Sequence, residues 1–181
     1  MIHFLKSLIV LALVILAAVA PARAEQQAHL FFDQLASLCG SQYVGEMTFP
    51  TEGQDSFKGK ELMAYIKQCD GEQIRIPFAV GDDTSRTWVF TKTEKGVKLK
   101  HDHRHADGSV DEVSNYGGDS NSSGSVLSQS FPADEFTQAL IPAASTNVWS
   151  ITLSSDHKKM IYHLKRHDTP RFTAVLKLQV H

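Results

Sequence analysis

The chain has 181 residues, a formal net charge of −2, 42% apolar residues and only two cysteines. That length suits one domain with a sizeable core. The mild acidity leaves no basic footprint, so no nucleic-acid partner is expected.

The N-terminus reads as a secretory signal. Lys6 supplies the positive n-region, Leu8 to Ala20 is an unbroken apolar run, and Ala22-Arg23-Ala24 fits a small-residue cleavage site. Residues 1–24 are thus predicted to be removed by bacterial export, leaving 25–181 as a single periplasmic or secreted domain. Pro21 and Arg23 interrupt the run short of the roughly 20 apolar residues that a spanning helix needs. No integral membrane segment is expected after cleavage. In an oxidising compartment Cys39 and Cys69 read as one disulfide.

The remaining chain opens with a short helix, for which Leu30, Phe31, Leu35 and Leu38 give the apolar stripe and Gly40 the stop. The period then changes from helical to alternating. Strands are predicted at Tyr43–Phe49, Leu62–Lys67, Gln73–Val80, Arg86–Thr91, Val97–His105 and Val110–Tyr116. Turn signals at Asp70-Gly71, Gly81-Asp82-Asp83, Lys95-Gly96 and Asp107-Gly108 divide them. Pro77 lacks an N–H, which predicts an edge strand or a bulge at that point. Gly117 to Gly124 reads as a polar loop, and Ala133–Leu140 as a short helix entered through Pro132 and stopped before Pro142. Three strands near Asn147–Ser154, Met160–Arg166 and Phe172–Val180 close the chain.

Short antiparallel strands at hairpin spacing predict an all-β, up-and-down barrel or sandwich. The order of a helix, a glycine-led first strand and a meander resembles the lipocalin-like (calycin) barrels. Here Gly40-Ser41-Gln42-Tyr43 stands where that family has Gly-x-Trp, and Arg171 starts the final strand. The likeness covers architecture and carries no functional residue across. The phrases Ser85-Arg86-Thr87-Trp88-Val89, Leu99-Lys100-His101-Asp102-His103-Arg104-His105 and Thr146-Asn147-Val148-Trp149 are similar to a set of exported bacterial proteins. That resemblance implies an envelope or secreted location and supplies no activity.

The alternating histidines carry the functional reading. Val97, Leu99, His101, His103 and His105 share one face of a strand, while Lys98, Lys100, Asp102 and Arg104 share the other. The charged face belongs in water, so the histidine face is expected to look into the barrel. With Asp107-Gly108 and Lys95-Gly96 as two-residue turns, His103 would lie between Trp88 and Glu112. His101 would then lie between Phe90 and Ser114, with Leu99 opposite Tyr116 and Arg104 opposite Asp111.

Three readings follow. Trp88, Phe90, His101, His103, Glu112 and Tyr116 line a barrel mouth that binds a small molecule. Alternatively, His101 and His103 hold a divalent metal, the one cofactor considered, with His105, Glu112, His163 or His167 completing the set. A metal-assisted hydrolase or lyase would then use His103 and Glu112 as its acid/base pair. In the third reading the histidines are structural and the protein serves envelope assembly without a small ligand. Nucleophilic catalysis has no support, because there is no Gly-x-Ser-x-Gly and the serines at 120, 122, 123 and 125 sit in or beside the polar loop.

Overall fold

The computed structural model describes residues 22–49 and 57–180. Most of the segment read as an export signal, residues 1–21, lies outside them. Among the described residues no helix is long and apolar enough to cross a membrane.

The fold is an antiparallel, barrel-like sheet. A first helix, α1 (22–37), precedes the strands β1 (Gln42–Phe49), β2 (Leu62–Tyr65), β3 (Gln68–Cys69), β4 (Gln73–Val80), β5 (Asp83–Thr93), β6 (Gly96–His103) and β7 (Tyr116–Asp119). After β8 (Ser128–Pro132) come α2 (Glu135–Leu140), a 3-10 turn (Pro142–Ala144), β9 (Asn147–Leu153), β10 (Lys159–Arg166) and β11 (Thr169–Leu178). Around the sheet the order is β7-β6-β5-β4-β2-β1-β11-β10-β9-β8, with β3 also on β4. Two meanders, one on each side, are thus joined through the β1–β11 ladder, in which Tyr43 pairs with Leu178.

Alternation drives the strands as the sequence implies. In β9 every second residue, Asn147, Trp149, Ile151 and Leu153, is buried, and in β4 Ile74, Ile76 and Phe78 are. Each such apolar side chain removed from water contributes about 1.5–3 kcal/mol. Pro77 sits in an inner strand, not at an edge. Pairing along β4 slips by one residue between β2 and β3, which places a bulge opposite Ile76 and Pro77 where a missing N–H is tolerated.

One end of the barrel is plugged by α1. Ala28, Phe31, Phe32 and Leu35 recur at helical spacing and are buried, whereas Leu30 of the expected stripe is half-exposed. His29 Nε2 donates to the Thr93 carbonyl at 2.8 Å, and Lys92 meets Asp33 at 3.1 Å. Gly40, at φ +89°, ends the segment as expected. The Cys39–Cys69 disulfide then ties it to β3 across a sequence separation of 30.

The sheet closes between β7 and β8 without a regular ladder. This is where sequence expectation and structure part most. The loop foreseen from Gly117 contains β7, β8 was not foreseen, and Val110–Tyr116 is mostly irregular. The seam is held by backbone bonds from Asp134 N–H to the Gly117 carbonyl and from Asn121 N–H to the Ser130 carbonyl. The buried Thr137 hydroxyl donates to the Gly117 carbonyl at 2.8 Å and accepts from its N–H at 2.7 Å. A Cβ on Gly118 would stand 1.8 Å from the Pro132 carbonyl oxygen, so only glycine permits this approach. Gly118→Ala should therefore destabilise the protein by about 2 kcal/mol, as overpacking does. Chemical denaturation checks this, and wild-type stability in that variant would show that the seam is not close-packed.

Candidate functional site

The end of the barrel opposite α1 is open and holds a cavity of about 400 Å³. Its position follows from strand direction. Arg86 near the start of β5, His103 at the end of β6, Trp149 early in β9 and Arg166 at the end of β10 all project there.

The histidine face does look inward. Val97, Leu99 and His101 are buried, and His103 is half-buried at the mouth. The neighbours differ from expectation because both hairpins have another register. Thr93 pairs with Gly96, so Glu94 and Lys95 make the turn. Gly96 follows that turn at φ +125°, which favours glycine, and a Cβ there would also meet Ser120 Oγ at 2.7 Å and Ala28 of α1 at 3.0 Å. Trp88 therefore lies opposite His101, and Arg86 opposite His103. In the next hairpin Arg104 bridges to Val110, but His101 pairs with Tyr116, which leaves extra residues looped out between them. Glu112 is carried into solvent by that loop and does not flank His103. Its side chain is 89% exposed and faces His105 at 3.6 Å. Arg104 bonds Asp102 at 2.9 Å, not Asp111.

Of the expected site residues, the structure brings His103 and Tyr116 together on the cavity wall, with Tyr116 Oη 2.9 Å from His103 Nε2. Trp88 and Phe90 belong to the core beneath, Trp88 stacked on Phe78 at 4.4 Å and Phe90 against Phe31 and Phe131. His101 is also below the cavity wall. Its Nδ1–H donates to the Tyr116 carbonyl at 3.2 Å and its Nε2 accepts from Tyr162 Oη at 3.0 Å, while its ring stacks on Tyr116. This pair of bonds fixes one neutral tautomer. Burial pushes the His101 pKa down to about 3.

A two-histidine metal pair would need a free nitrogen on each ring, and both nitrogens of His101 are already engaged. At the rim, His105, Asp111 and Glu112 place donor atoms within 4.8 Å of one another. There Asp111 faces His105 Nδ1 at 3.9 Å and Glu112 faces Nε2 at 3.6 Å, so the two carboxylates address different ring nitrogens.

The cavity gains several residues that sequence reasoning did not assign to it. Trp149 and Tyr162 form its aromatic floor, and Asp111 and Asn147 line its side. Arg86 enters with its guanidinium on Asp83 at 2.6 Å and 5.5 Å from the Phe57 ring centre. Although burial alone would raise the Asp83 pKa, hydrogen bonds from Ser85 and Arg86 bring it to about 2. Burial, then the charge of Arg86, holds His103 below the usual histidine range, so it presents a neutral ring to the cavity near pH 7. Burial raises the Tyr116 hydroxyl to about 12, which keeps it a hydrogen-bond donor. The wall therefore combines neutral donors and acceptors, aromatic faces and two guanidinium groups, a lining suited to holding a small organic molecule.

Compared with protein families, curated proteins and solved structures, the chain has no match.

Proposed function

We propose that this is an exported protein that binds a small organic molecule in the open end of its barrel. The observation that carries the reading is the cavity of about 400 Å³, which falls within the roughly 300–1,000 Å³ of ordinary ligand sites. Its neutral His103–Tyr116 pair supplies orienting hydrogen bonds, and Trp149 and Tyr162 supply apolar contact. Among the described residues α1 fills the far end, so the cavity opens at the mouth. The Cys39–Cys69 bond accords with an oxidising compartment, where such bonds persist.

A thermal-shift panel of small organic molecules of differing charge tests the proposal. At least one should raise the melting temperature saturably, with one molecule per chain by calorimetry. His103→Ala should then lower that affinity about tenfold, since one orienting hydrogen bond to a buried partner is worth roughly 1–1.5 kcal/mol. A panel without a saturable ligand, or a ligand indifferent to His103, would overturn it.

A further inference from the structure

Arg166 is the least satisfied charge in the mouth. Its Nε donates to Asn147 Oδ1 at 2.8 Å, and among the described residues it forms no ion pair. It lines the cavity from the end of β10 and is partly buried. A guanidinium offers five N–H donors in a planar fork shaped for a carboxylate or another oxyanion. Here one donor is used by Asn147, which also fixes the group's direction.

The second cation, Arg86, stands across the cavity on β5 and is held by Asp83. The carboxylate that lines the cavity, Asp111, is turned to other partners. One oxygen accepts from Val113 N–H at 2.7 Å, and the other faces His105 at the rim. Beneath the arginines the wall is apolar and aromatic, with Trp149, Tyr162, Leu164 and Phe172. A partly desolvated cation beside an apolar floor attracts a ligand with a matching division, anionic at one end and ring-like or apolar at the other.

Resting on the reading of the mouth as a binding site, we propose that its ligand is an aromatic monoanion, the anionic group on Arg166 and the apolar body on the Trp149–Tyr162 floor. Arg86 adds field without needing to leave Asp83.

Two fluorescent probes that differ by one charged group test this. The monoanion 8-anilinonaphthalene-1-sulfonate should bind the folded wild-type protein saturably, at least tenfold more tightly than neutral N-phenyl-1-naphthylamine. Arg166→Gln should weaken the sulfonate about tenfold and leave the neutral probe unchanged, whereas Arg166→Lys should keep the preference. Equal affinities for the two probes, or a preference that survives Arg166→Gln, would overturn the anion assignment while leaving the mouth a binding site. Failure of both probes to bind would overturn the assignment and count against the mouth itself. If Arg166→Gln does not fold, Arg166→Met, which keeps the length of the side chain without its charge, takes its place in the same two-probe comparison with the same two outcomes.

Discussion

Lowering the pH from 7 to 5 should cost the fold about 2 kcal/mol through one side chain, His101, and on the order of 4 kcal/mol by pH 3. In the folded protein burial brings its pKa down to about 3, against about 6.5 in an unfolded chain. Between those values the unfolded state takes up a proton that the folded state refuses. The stabilisation is complete above the unfolded value and is lost as the pH falls toward the folded one. His103 and His163 are shifted in the same direction by burial and add to the slope. The measurement belongs above pH 5, because Asp83, Asp102 and Asp134, held low by their hydrogen bonds, begin to contribute below it. His101→Gln preserves a donor for the Tyr116 carbonyl and an acceptor for Tyr162 but cannot ionise. Its stability loss between pH 7 and 5, by urea denaturation, should be about 2 kcal/mol smaller than that of the wild type. An equal loss would show that His101 is protonated in the folded state.

Replacing Cys39 and Cys69 together by serine should lower stability by about 3.5 kcal/mol, the loop-closure value for a separation of 30 residues. The bond joins the end of the plug to the sheet, so its loss should also loosen α1. Hydrogen exchange of the amides that follow Phe31 and Leu35 should quicken more than that of β9 or β10. Guanidinium unfolding of the wild type with and without reductant gives a second reading of the same quantity. A midpoint unmoved by reductant would mean that the α1 packing of Phe31, Phe32 and Leu35 holds the plug unaided.

The strands whose apolar residues alternate were legible in the sequence. Ile74, Ile76 and Phe78, or Val97, Leu99 and His101, announce both a strand and its inner face. Legibility failed where the structure is decided by partners distant along the chain. Gly117 and Gly118 read as loop because their role is backbone approach to Pro132 and Thr137, which leaves no alternating pattern. Gly96 reads as a turn residue, yet it is the first residue of β6, at φ +125°, and that one-residue shift of the turn to Glu94 and Lys95 puts Trp88 opposite His101 instead of His103. The looped residues between Val110 and Tyr116 removed Glu112 from the mouth in the same way. Arg86 and Arg166 gave no local signal at all. They line the same cavity because the sheet curls on itself.

The pairing of β1 with β11 also bears on how the chain reaches its native state. Other neighbouring strands come from adjoining stretches of sequence and can zip as local hairpins. Tyr43 and Leu178, in contrast, must find each other across nearly the whole domain. Loop-closure entropy makes that encounter late, and a ladder of such long range slows folding. Before β1 and β11 pair, each of these two strands presents an edge of unpaired backbone. An unpaired edge of this kind can join another molecule in place of its own partner strand, so this ladder is also what guards the chain against association while it folds.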